Sequence, residues 1–120
     1  MERFCGTYSP ELNNIQIIIM TEEQRKFELY LIILRFLAFK ITTNLKRIYM
    51  DVDLSSNKIL LTAYYLNTLT ELEEELLDDI VTNSNAHIPD LFIESQTKLI
   101  KDHNENEQHD FIVFAVNDEI

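Results

Sequence analysis

The sequence predicts an α+β fold: a small antiparallel sheet of about four strands with helices packed on one face, in the order α-β-β-α-β-β. Three observations carry that expectation. Thr21–Gln24 and Thr70–Glu73 both have the capping-box form, and each precedes a stretch of helical apolar periodicity. Residues 46–53 alternate between apolar and polar, turn at Leu54-Ser55-Ser56-Asn57, and are followed by a β-branched and aromatic run over 58–66. Connections this short favour an antiparallel sheet with the helices to one side. At 120 residues the chain suits one domain with a two-layer core. That domain is assigned to residues 21–120, and residues 1–20 are read as an appendage of unassigned structure.

The first helix is expected from about Glu22 to Phe39. Its apolar positions crowd nearly all round, which argues for deep burial, and Thr42-Thr43-Asn44 breaks it. In the strand that follows, Ile48, Met50 and Val52 face one way, while Arg47, Tyr49, Asp51 and Asp53 face the other. Pairing Asp53 with Lys58 sets Val52 opposite Ile59, Met50 opposite Leu61, Ile48 opposite Ala63, Tyr49 opposite Thr62 and Arg47 opposite Tyr64. One face is then wholly apolar, so the register is self-consistent. The second helix carries a stripe of Leu69, Leu72, Leu76, Leu77, Ile80 and Val81, with Glu71, Glu74, Glu75 and Asp78 opposite. Glu73 falls on the apolar side, and its position as third residue of a capping box explains it. Asn83 to Asn85 and Pro89 close the helix, where His87 is expected to cap the last carbonyls. Leu91–Ile100 and Asp110–Val116 read as a second hairpin, with Lys101–His109 as its open polar turn.

The formal net charge is -11, and it is unevenly spread. Residues 59–97 hold eight Asp/Glu and no Lys or Arg. Such a field repels nucleic acid and anionic membranes and attracts basic surfaces. Cys5 is the only cysteine, which excludes an intramolecular disulfide and a thiolate metal cluster and fits a reducing compartment. The N-terminus lacks a basic region followed by an apolar core. The longest apolar stretch, Phe27 to Phe39, holds Glu28 and Arg35 and is too short to span a bilayer. The expectation is a soluble, cytoplasmic protein with neither nucleic acid nor membrane as partner.

Reaction chemistry is hard to find. The lone glycine, Gly6, rules out a P-loop, a dinucleotide fingerprint and a Gly-x-Ser-x-Gly elbow. His103 and His109 flank Glu105 and Glu107, which could bind zinc, but no zinc-site spacing is matched and a solvated polar turn accounts for them. Cys5 has no neighbouring base. No catalytic residue, metal or cofactor is assigned.

The acidic helix supports a sharper reading. Glu71–Glu75 and Glu74–Asp78 are like-charge i,i+4 pairs with no cation interleaved, each costing a few tenths of a kcal/mol (about 0.2–0.5). A merely solvated helix is the plain alternative, and the helix dipole welcomes the acids of the first turn. The candidate partner-binding residues are Glu71, Glu74, Glu75, Asp78 and Asp79, with Arg47, Tyr49 and Tyr64 as anchors on the neighbouring mixed strand face.

The run from Ile41 to Asp90 resembles a family of small bacterial proteins, several linked with contact-dependent growth inhibition (CDI) as immunity proteins. The shared pattern begins Ile-Thr-x-Asn-Leu-[Lys/Arg], matched by Ile41, Thr42, Asn44, Leu45 and Lys46. A strand, a turn and a strand ending in aromatics follow, matched by Tyr64 and Tyr65. A Thr/Ser-rich entry to an acidic helix comes next, matched by Thr68, Thr70, Glu71, Glu73, Glu74 and Glu75. Two departures stand out: relatives often carry Gly at the position of Phe39 or Lys40, and after the second strand, where this chain has Leu66-Asn67. The resemblance implies a cytoplasmic non-enzyme that binds and blocks the C-terminal domain of a cognate toxin, often a nuclease with a basic groove. Two other readings compete: a structural protein that homo-oligomerises through the open sheet face, and a small metal-dependent enzyme using His103 and His109.

Overall fold

Thr21 opens the first helix through its own hydroxyl, which accepts from Gln24 N while the Gln24 side chain returns the bond to Thr21 N. The structure, a computed structural model, describes residues 21–116; the appendage at 1–20 lies outside the described residues. Helix α1 spans Glu22–Leu34, and a single 3-10 turn, Arg35–Leu37, follows. Strands β1 (Leu45–Asp53) and β2 (Lys58–Tyr65) form the first hairpin. Helix α2 spans Glu71–His87, β3 runs from Phe92 to Leu99, and β4 from Phe111 to Ala115.

The α+β class and the order α-β-β-α-β-β are as the sequence predicts. The β1–β2 register also matches, from Asp53 opposite Lys58 to Arg47 opposite Tyr64. Its physical cause is the period-2 pattern: a one-residue slip would turn Ile48, Met50 and Val52 away from the core. Asn57 takes a left-handed φ of 57° in the turn, a conformation asparagine tolerates better than most residues. Asp53 accepts from Ser55 and Ser56 N–H groups in the same turn.

The sheet is mixed rather than wholly antiparallel, with strand order β3-β2-β1-β4. β2 and β3 pair in parallel, because α2 acts as a crossover that carries the chain back to the start of β2. The expected second hairpin is therefore absent. β3 and β4 lie on opposite edges, separated by two strands and about 14 Å, three strand spacings. Asn85 of α2 covers part of the β3 edge: its amide donates to Ile93 O and accepts from Ile93 N, at 3.2 and 3.0 Å.

Both helices pack on the face that carries Ile48, Met50, Ile59, Leu61 and Ala63. α1 buries Leu29 and Ile33 completely, and α2 contributes Leu77 and Ile80. The all-round apolar character of α1 does not translate into deep burial, since Phe27 and Leu31 stay 51% and 46% exposed. The helix meets the layer along one stripe, and Tyr30 stacks on Phe111 of β4 at 4.7 Å. α1 also ends early. Phe39 adopts a φ of 63°, at the position where the resemblance leads one to expect glycine.

Candidate functional site

Four of the five helix carboxylates named from the sequence line a single groove. Glu71, Glu74, Glu75 and Asp78 border an open cavity of about 610 Å³ between α2 and the edge strand β3, with Leu69 and Leu77 among its apolar lining and Ser95 and Thr97 on the strand side. The helical repeat explains the arrangement, because residues three and four apart share a face. These four carboxylates are all exposed. Asp79 differs: it pairs with Lys40 at 3.3 Å. A cation 39 residues away in sequence thus relieves one member of the row, while the groove acids have no ion-pair partner among the described residues.

Glu73 belongs to a different structure. It is buried and accepts from Thr70 N (3.0 Å), Asn44 Nδ2 (3.2 Å) and Thr42 Oγ1. Burial by itself would raise its pKa; the bonds from Thr42, Thr70 and Asn44 outweigh that and hold it below the ordinary carboxylate value. The capping box predicted from the sequence is present in full, and it also clamps the 42–44 segment to the helix.

Arg47, Tyr49 and Tyr64 are not beside the acid row. They lie on the opposite sheet face, and both tyrosines are buried, at 5% and 0% exposure. The connection from Ile100 to Asp110 covers them as it crosses from β3 to β4. Tyr49 lies against His109 (4.2 Å between ring centroids, stacked) and against His103 (5.6 Å, stacked). Its hydroxyl accepts from Arg47 Nη1 at 2.9 Å and shares a hydrogen bond with His103 Nε2 at 2.8 Å. Tyr64 donates to both carboxylate oxygens of Glu107, at 2.8 and 2.9 Å. The expectation of an exposed, mixed strand face therefore fails at both tyrosines, because His103, Glu107 and His109 of this connection bond the strand residues beneath them.

His109 joins this clasp from both sides of its ring. Nδ1 meets Asp51 Oδ2 at 2.7 Å and Nε2 meets Glu107 Oε1 at 3.0 Å. Ionised carboxylates only accept, so both ring nitrogens carry protons and the ring is an imidazolium. Burial pulls its pKa down, but the bonds and charges of Asp51 and Glu107 raise it above the ordinary value. Glu107 is held down at about 2 by bonds from Asn104 N, Tyr64 and His109. Burial, then Glu107, push the Tyr64 hydroxyl up to about 12. From the sequence alone His103, Glu107 and His109 are residues of a polar turn, and nothing in their spacing pairs them with Asp51 and the tyrosines.

These histidines are engaged within the fold rather than gathered around a metal. Among the described residues, no group of three or more His, Cys, Asp or Glu side chains could hold a metal ion. His87 also finds a partner other than the one predicted: since arginine only donates, His87 Nε2 accepts from Arg35 Nη2 at 2.9 Å. No helix among the described residues is long and apolar enough to cross a membrane.

A search of curated proteins found no significant match. A family model described as MafI2 immunity protein matches residues 26–117, which takes in every described element after the first turn of α1. It supports toxin immunity, as the sequence resemblance implied, and it names the MafI2 family rather than the CDI immunity proteins in particular. The chain belongs to the MafI2 immunity protein family, and so to the bacterial toxin-immunity proteins, whose partner is a cognate toxin.

Proposed function

We propose that this protein neutralises its cognate toxin domain through the groove between α2 and β3, with Glu71, Glu74, Glu75 and Asp78 as the contacting acids. The observation that carries the reading is the unrelieved carboxylate row converging on one open groove. Four like charges on adjacent helical turns repel one another, and a basic partner surface offsets that cost on binding. The partner chemistry that fits best is a toxin nuclease, whose substrate groove must be basic to hold phosphates. The protein acts without catalysis, in the cytoplasm of the cell that makes it, against a toxin delivered by a neighbouring cell in contact.

Asp79 takes a smaller part, being already paired with Lys40. Arg47, Tyr49 and Tyr64 serve the partner surface indirectly, by holding the covered sheet face closed. The test is co-purification with the product of the gene immediately upstream, followed by the Glu74→Lys, Asp78→Lys double variant. The complex is expected to form and the double variant to weaken it at least tenfold. An unchanged affinity rules out the groove as the contact surface.

A further inference from the structure

Phe39 places an aromatic side chain on a backbone conformation that disfavours one. Its φ of 63° is left-handed, where Cβ crowds the following carbonyl oxygen and glycine is at ease. The ring is 98% exposed, so the fold gains no burial in return. The segment is nevertheless firmly held. Lys40 N donates to Leu37 O at 3.0 Å and Lys40 Nζ pairs with Asp79 at 3.3 Å. Beyond it, Thr42 and Asn44 bond Glu73, and Asn44 also ties down Leu66 and Asn67. Three more exposed apolar residues, Ile41, Leu66 and Leu72, take part in these bonds through their backbone or adjoin a residue that does. Glu75 follows Leu72 by three residues and has no cation partner among the described residues, whereas Asp79, seven residues on, is neutralised by Lys40, so one unrelieved carboxylate borders the patch along the helix.

Building on the toxin-binding reading, on which this inference rests, we propose that Phe39 is an apolar anchor of the toxin interface, entering a pocket of the toxin domain whose rim carries lysine or arginine. An aromatic on a pinned segment loses little freedom on binding, and a desolvated aromatic inside a polar rim is the common form of an interface hot spot. Charge complementarity selects the rim. A second copy of this chain is the wrong occupant, because it would bring matching carboxylates and a net charge of -11 to the same contact.

The experiment titrates the full chain with a catalytically inactive form of the toxin domain encoded immediately upstream, and measures urea unfolding of each variant in parallel. Phe39→Gly is expected to weaken binding at least tenfold while its unfolding midpoint stays level or rises. Leu72→Ala is expected to weaken binding as well, and Ile112→Ala, on β4, to leave it unchanged. Undiminished binding by Phe39→Gly overturns the proposal and leaves the toxin-binding reading standing. Loss of affinity with a lowered midpoint also overturns it, since that marks a structural residue, as does equal weakening by Ile112→Ala. Failure of the parent chain to bind removes the toxin-binding reading, and the anchor with it.

Discussion

Glu73 shows how one residue can stand apart from its neighbours in an acidic run. Its carboxylate is the hub for Thr42, Asn44 and Thr70, so removing it takes an acceptor from all three, of which Asn44 Nδ2 keeps a second acceptor in Asn67 O. Glu73→Ala is expected to lower stability by about 1–2 kcal/mol, since a lost cap costs about 1 kcal/mol and each net hydrogen bond lost about 0.5–1.5 kcal/mol at most. Urea unfolding at neutral pH checks this, and a change within error would show the cap to be dispensable. Because its folded pKa is depressed below 4.5, its contribution is present above that value and is lost as pH falls through the folded value. His109 runs the other way. Its folded pKa is raised above 6.5 by Asp51 and Glu107 against the opposing pull of burial. Its contribution is therefore complete below pH 6.5 and disappears as pH rises through the folded value. Tyr64 extends the alkaline limb: raised to about 12, it contributes below its ordinary value of 10.0 and ceases to between there and 12. NMR titration of the His109 ring should give a midpoint above 6.5; a midpoint below it would mean that the clasp does not hold an imidazolium.

At the scale of elements, α1 exposes a limit of composition. Apolar residues surround it, yet the sheet offers one surface, so Leu29 and Ile33 are buried and Phe27 and Leu31 are half-exposed. Leu29→Ala is expected to cost about 2–5 kcal/mol through lost transfer energy and the cavity left behind. Leu31→Ala should cost well under about 1.5 kcal/mol, because much of its area never leaves water. Equal losses in denaturant melts would contradict this orientation of the helix. The two capping boxes and the β1–β2 hairpin are legible because each depends on residues a few positions apart. Asp53 and Asn57 build their turn from within, and the apolar alternation allows a single register. β3 was legible as a strand but not in its direction, since alternation reads the same forwards and backwards. Its parallel pairing follows from where α2 delivers the chain.

Across the whole molecule, the charges separate into two sets. The groove acids face solvent, while Asp51, Glu107 and His109 satisfy one another over the sheet. Under the proposed groove contact, toxin association is expected to depend on salt, since screening grows as the Debye length falls from about 10 Å at 0.1 M to about 3 Å at 1 M. The on-rate is expected to fall by about tenfold or more over that range in the parent and much less in Glu74→Lys, Asp78→Lys. Stopped-flow association checks both, and equal salt slopes would place the steering charges elsewhere. The acids of the groove were legible as a row from their spacing. That the row meets β3 rather than Arg47, Tyr49 and Tyr64 was not, because a helix wheel shows which residues share a face and not what that face adjoins.

By itself the sequence determined the element types, the first hairpin and its register, both helix starts, the acidic row and the family pattern over 41–90. Each rests on short-range physics: capping bonds, turn chemistry and periodicity matched to one buried face. Tertiary structure alone decided that β3 is parallel, that the 100–110 connection covers Tyr49 and Tyr64, that Lys40 reaches Asp79, and that Phe39 stands exposed on a left-handed backbone. Those features join residues as far apart as Asp51 and His109, 58 positions in sequence. Polar side chains that pair over such distances leave no periodic trace, since what selects their partners is the path of the folded chain.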